Sequence, residues 1–132
     1  MVGLIESAER SLEIYAEVIR DDEIVAAFVA AESRGVRVEI VLTPDVDPVN
    51  QRVLASLREG GIAVHLVDDP YIHAKMVLAD GERAFVGSQN FTETSLNENR
   101  EIGIVLSETV PLERLKSTFE RDATLEELPP AE

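Results

Sequence analysis

The spacing of apolar positions changes several times along the chain, and each change marks an element. Leu4, Ile5 and Ala8 have the spacing of a short helix. From Leu12 the period drops to two, with Leu12, Ile14, Ala16 and Val18 alternating with Glu13, Tyr15 and Glu17, which predicts a strand. Asp21 or Asp22 caps a second helix whose apolar face is Ile24, Ala27, Phe28 and Ala31, and Gly35 stands where a left-handed stop belongs. A strand over Val36–Leu42 and the turn Thr43-Pro44-Asp45 follow. Asp47 then Pro48 is a capped start with proline at the first helical position, and Val49, Val53, Leu54 and Leu57 form the apolar face of a helix that ends at Gly60-Gly61. Ile62–Val67 is a third strand, Asp68-Asp69-Pro70 a loop, and Ile72–Ala79 with Arg83–Ser88 a hairpin around Asp80-Gly81-Glu82. Ile102–Leu106 is one more strand, and Leu112, Leu115 and Phe119 mark a last helix.

Strand–helix–strand–helix–strand followed by a hairpin and another strand implies right-handed crossovers. The expected fold is therefore an α/β layered domain: a mixed, mostly parallel sheet with helices on both faces. At 132 residues, 45% of them hydrophobic, the chain has the material for one core, expected over residues 1–124, with an acidic, proline-containing tail over 125–132. No apolar run approaches the roughly 18–20 residues needed to cross a bilayer, and Met1–Arg10 lacks the basic start and apolar centre of a secretory signal. The chain as given reads as soluble, with its compartment open. The absence of Cys excludes a disulfide scaffold, a thiol nucleophile and a Cys-ligated metal. A net charge of −14 repels polyanions and lowers the expectation of broad nucleic-acid binding. Such acidity suits an ordinary solubilising surface or adaptation to high salt.

Candidate chemistry concentrates around the expected hairpin. His73 and Lys75, at i and i+2, project from one face of its first strand. Burying a Lys beside an imidazole costs several kcal/mol unless something anionic faces them, and with no acid between the two in sequence, phosphate fits that need. The second strand ends in Gly87-Ser88-Gln89-Asn90, where glycine permits close backbone approach and Ser88 and Asn90 offer short hydrogen-bonding groups. Glu101, at the mouth of the next strand, is a carboxylate suited to orienting a histidine through its second ring nitrogen. His65 reads as structural, and a metal site built on the two histidines would have only carboxylates to complete it, so no metal is expected. Ser88 lacks the G-x-S-x-G elbow of a hydrolase nucleophile.

His73-Ala74-Lys75, four residues, Asp80, six residues, then Gly87-Ser88-Gln89-Asn90 resembles the H-x-K-x4-D-x6-G-S-x-N motif of the phospholipase D superfamily. Arg34-Gly35-Val36-Arg37-Val38 resembles that family's helix-to-strand junction, and Ser95-Leu96-Asn97-Glu98-Asn99-Arg100-Glu101 its S-x-x-N-x-E segment, so the similarity covers about residues 4–120. The resemblance implies that His73 belongs to a phosphoryl-transfer pair, that Lys75, Ser88 and Asn90 hold phosphate oxygens, and that Glu101 orients a histidine. Asp80, at the hairpin turn and facing away from His73, is expected to be structural, as is Gly87. The resemblance further implies a metal-free reaction without cofactor: one histidine attacks phosphorus to give a phosphohistidine, and a second protonates the leaving oxygen and then activates water or an alcohol.

Two motifs are needed and this sequence holds one. Three expectations follow: a homodimer with the site on its twofold axis, one motif-bearing half of a longer chain, or an inactive relic. The abrupt start Met1-Val2-Gly3-Leu4 and the Asn97–Glu101 segment resemble the second half of a larger protein. The expected activity is that of a phosphodiesterase or phosphatidyltransferase acting on phospholipid head groups. The alternatives are a nuclease with the same chemistry and a non-catalytic phosphate-binding or dimerisation module. A nuclease needs a basic track, and Arg10, Arg20, Arg34, Arg37, Arg52 and Arg58 are scattered among acids, so phospholipid is favoured over nucleic acid.

Overall fold

The computed structural model of the protein describes residues 1–125; apart from Leu125, the expected tail lies outside the described residues. The elements in chain order are α1 (Val2–Glu6), β1 (Ser11–Tyr15), α2 (Asp22–Ser33), β2 (Arg37–Leu42), α3 (Pro48–Glu59), β3 (Ala63–Leu66), β4 (Met76–Ala79), β5 (Arg83–Gly87), a π-helical turn (Thr94–Glu98), β6 (Gly103–Leu106) and α4 (Thr109–Ala123). Local chemistry explains the helix starts: the Asp21 side chain accepts from Ile24 N, and the Asp47 side chain from Val49 N with Pro48 at the first turn. Both acids satisfy backbone donors that the helix cannot.

The six strands form one sheet in the order β3-β2-β1-β4-β5-β6. β1 pairs with β2, and β2 with β3, in parallel; β1–β4, β4–β5 and β5–β6 are antiparallel. The sheet is mixed, as expected, but not mostly parallel: β1, β2, β3 and β5 run one way and β4 and β6 the other, so three of the five pairings are antiparallel. The βαβ crossovers build the parallel half, and the hairpin adds the antiparallel half. Asp80 (φ 55°) and Gly81 (φ 65°) turn that hairpin with positive φ at both central positions, which suits the twist of the flanking strands.

Helices cover both faces. On one, Ile5, Ile24, Phe28 and Leu57 from α1, α2 and α3 pack on Leu12, Ile14, Val38, Ile40, Val64 and Val77. On the other, Leu112 and Phe119 of α4 pack on Tyr15, Val41, Met76, Leu78 and Ala84. Truncating Phe28 or Phe119 to Ala would cost about 3–5 kcal/mol. Helix α4 also changes the meaning of the polar face of β1. Glu13 and Tyr15 alternate with apolar residues as a solvent face would, yet both are buried beneath α4. Burial pushes the Glu13 carboxyl up, with Lys116 of α4 opposing it. Tyr15 stacks edge-on against Phe119 at 5.2 Å and donates to Asp122 at 2.6 Å; burial, then that hydrogen bond, raise its pKa.

The hairpin is tied to the start of β1 by Asp80. Its carboxylate accepts from the backbone N–H of Glu9 (3.0 Å), Arg10 (2.6 Å) and Ser11 (2.9 Å). Burial opposes its ionisation, but these donors and the Arg10 guanidinium outweigh that and hold it below its ordinary value of 3.8. Removing a charged acceptor shared by three donors should cost about 2–4 kcal/mol. A depressed carboxylate stabilises the fold above its unfolded pKa and loses that contribution as pH falls through the folded value. Asp80→Ala should therefore lower the urea midpoint at neutral pH, with a gap to wild type that narrows below about pH 4. Equal midpoints at pH 7 would count against this clamp.

Candidate active site

Strand β1 stops pairing with β4 at Tyr15, opposite Met76, and Ala16 N turns to Val41 O of β2. The expected strand Ile72–Ala79 therefore begins only at Met76, because residues 72–75 have no strand on their β1 side. His73 and Lys75 lie in this lead-in rather than on a strand. They meet all the same: Lys75 Nζ lies 3.2 Å from His73 Nε2 and donates to the His73 carbonyl at 2.8 Å. Gly87 N holds the backbone of Lys75 through its carbonyl.

Their burial differs from the expectation of two buried cations. The Lys75 side chain is 6% exposed, whereas that of His73 is 74% exposed. The anion facing them is not absent either. Glu17, carried by the segment after β1, places Oε2 2.9 Å from Lys75 Nζ and 3.5 Å from His73 Nε2, while Oε1 accepts from Tyr71 OH at 3.2 Å. Burial tends to raise the Glu17 pKa, but the hydrogen bond and charge of Lys75, the charge of His73 and the Tyr71 hydroxyl outweigh it and hold Glu17 below its ordinary 4.5. Sequence reasoning missed this residue because the alternation assigned it to a strand's polar face. The available signal was the need for an anion opposite a buried lysine.

Ser88 lies with His73 and Lys75 on one open cleft of about 610 Å³, whose walls include Tyr15, Ile72, Met76, Val86 and Leu115. Ser88 Oγ donates to Glu101 Oε2 at 2.5 Å and accepts from Ile102 N at 3.1 Å. Asn99 Nδ2 reaches Glu101 Oε1 at 3.4 Å. Glu101 is thus engaged with Ser88 and Asn99 rather than with His73. Asn90 lies two residues past Ser88, its Oδ1 buried with no hydrogen-bond partner among the described residues. A Cβ at Gly87 would stand 2.9 Å from the Phe85 ring and 3.0 Å from Ile102 O, so the bend that delivers Ser88 needs glycine. Asp80 is at the far end of β4 from Lys75. His65 pairs with Glu39 at 3.2 Å on β2 and β3. Among the described residues, no three His, Cys, Asp or Glu side chains are grouped to hold a metal ion, and no helix is long and apolar enough to cross a membrane.

Residues 1–123 match the family described as cardiolipin synthase, PLD-like domain. The chain belongs to this family. A mitochondrial cardiolipin hydrolase of Xenopus tropicalis is 30% identical to this PLD-like domain over 119 residues, which are 89% of this chain and 57% of that protein. A 5'-3' exonuclease of Xenopus tropicalis is 30% identical over 95 residues, 67% of this chain and 19% of that protein. Nuc of Salmonella typhimurium, a phospholipase D family member, matches with a TM-score of 0.90 over 96% of this chain and 86% of that chain; at 24% identity the likeness is one of fold. The PLD-like domain spans about half the length of the cardiolipin hydrolases it matches.

The electrostatics of the cleft are open to direct measurement. In carbon-13 NMR the Glu17 carboxyl should titrate below 4.5 and move upward in Lys75→Met, since its main stabilising partner is gone. The pair's contribution to stability is present above the unfolded carboxylate value and lost on acidification. A Glu17 titration unaffected by Lys75→Met would mean the two groups do not interact in solution.

Proposed function

We propose that this domain supplies half of a two-histidine phosphodiesterase site, which cleaves phospholipid head groups, or transfers the phosphatidyl group, through a phosphohistidine. The carrying observation is the contrast within one cleft between a sealed, fixed ammonium at Lys75 and an open imidazole at His73. The ammonium is placed to hold charge, and the imidazole is open to a ligand from solvent. His73 attacks phosphorus, and the bond to the leaving oxygen breaks with its electron pair on that oxygen, which takes a proton from the histidine of a second motif. That second histidine then removes a proton from water or an alcohol, whose oxygen attacks the phosphohistidine and releases His73. Lys75, Ser88 and Asn90 bind the non-bridging oxygens, with Lys75 supplying most of the charge stabilisation. Because Glu101 does not contact His73, its role in this reading is to orient the second motif's histidine once phosphate displaces it from Ser88.

The second motif comes from another copy of the chain or from another half of a longer protein. Two exposed apolar residues beside the cleft, Ile102 and Ile104 on β6 and its approach, support such a covering partner. The apolar cleft walls and the net charge of −14 favour a phospholipid over a nucleic acid.

With a complete two-motif site, an activated aryl phosphodiester should be hydrolysed without added metal, and chelator should leave the rate unchanged. His73→Ala should lower it by about a thousandfold or more. Activity should rise with the dimer fraction seen by light scattering if a second copy completes the site. Loss of activity on chelation with recovery on adding metal, or full activity of folded His73→Ala, would overturn the mechanism. Phosphate binding without turnover would favour the non-catalytic module, and preferential cleavage of single-stranded DNA over phospholipid vesicles would favour the nuclease.

A further inference from the structure

We propose that Glu17 sets the charge this site accepts, favouring the single negative charge of a phosphodiester over the double negative charge of a phosphomonoester. The inference rests on reading the His73–Lys75 cleft as the phosphodiester site.

Glu17 belongs to no part of the H-x-K…G-S-x-N motif, yet it stands within it. Its backbone is fixed from both sides: Ala16 N donates to Val41 O, and Phe91 N to Val18 O, while Arg20 N and Asp21 N both donate to Phe91 O. The anchored backbone keeps this carboxylate within reach of Lys75 and His73. Lys75 and His73 are its ion partners among the described residues, and Asp45 of the β2–α3 loop lines the same small cavity behind it. Lys75 and Glu17 cancel in charge, so the cleft meets its ligand near neutrality and not as an uncompensated ammonium. A monoanionic diester is tolerated there, drawn by Lys75 at contact distance, whereas each further negative charge on the ligand meets Glu17 with Lys75 already compensated. The ionised state of Glu17 agrees with this arrangement.

The consequence bears on turnover. Hydrolysis of a diester converts a monoanion into a monoester, whose second pKa is about 6, so at neutral pH the product gains a charge. A site that disfavours dianions releases its product and resists inhibition by free phosphomonoesters. Repulsion scales with ligand charge, so removing one fixed negative charge should tighten a dianion by about the square of the factor for a monoanion.

The test measures inhibition of diester turnover at about pH 8 by two stable ligands, dimethyl phosphate and phenyl phosphate, a monoanion and a dianion there. In Glu17→Gln the inhibition constant for phenyl phosphate should fall about tenfold and that for dimethyl phosphate about threefold, while Glu17→Asp, which keeps the charge, should retain the wild-type preference. In the wild type, raising ionic strength from about 0.05 to 0.5 M should narrow the difference between the two ligands, a measurement that needs no folded variant. Equal tightening of both ligands, no change, weakening of both because Lys75 has lost its support, or a preference in the wild type that ignores salt would overturn the proposal. Wild-type protein with a second motif that neither turns over a diester nor binds dimethyl phosphate would instead overturn the functional reading, and this inference with it.

Discussion

Strand β1 pairs with β2 on one side and β4 on the other as far as Tyr15, and there its two partnerships part. Ala16 stays with β2 through Val41, so the segment before β4, which carries His73 and Lys75, loses its neighbour on that side and keeps only β5, through Gly87 N. The departing end of β1 carries Glu17 across the gap to meet them. Had β1 continued to Val18 as a regular strand, its alternation would have set Glu17 on the α4 side in line with Glu13 and Tyr15. The cleft exists because a parallel and an antiparallel half share one strand that stops serving one of them first.

The same feature explains what could be seen in the sequence. Helix starts at Asp21 and Asp47, the hairpin at Asp80-Gly81 and the grouping of His73 with Lys75 and Ser88 depend on interactions a few residues long, or on a motif with fixed spacing; the exposure of His73 does not, and it departs from the expected burial. Glu17 escaped because its partner Lys75 is 58 residues away, and alternation reports only which side a residue would take if its strand continued. Burial of Glu13 escaped for a related reason, since the helix that covers it is the last in the chain. The π-helical turn at Thr94–Glu98 lies in a stretch whose polar composition reads as loop. Glu101 precedes β6, and its contacts with Ser88 and Asn99 in place of His73 depend on how Ser88 is presented by the neighbouring strand.

Acidity and the site also bear on one another. A surface of net charge −14 would weaken any anion site reached through open solvent. On the proposed reading the answer is a sealed cation: the Lys75 ammonium, within a wall of Tyr15, Ile72, Met76 and Val86, keeps its short-range attraction, while the distant carboxylates are screened.

The sequence contains two lysines, Lys75 and Lys116. Lys116 stands half-exposed on α4, whereas the side chain of Lys75 is closed in by Glu17 and the His73 carbonyl. Of the two lysines, an amine-directed reagent thus meets one in the open: the α4 lysine reacts, and the cleft lysine is shielded until the contact with Glu17 opens. Mass-spectrometric counting of the added groups turns that shielding into a direct readout of whether the Lys75–Glu17 contact is made.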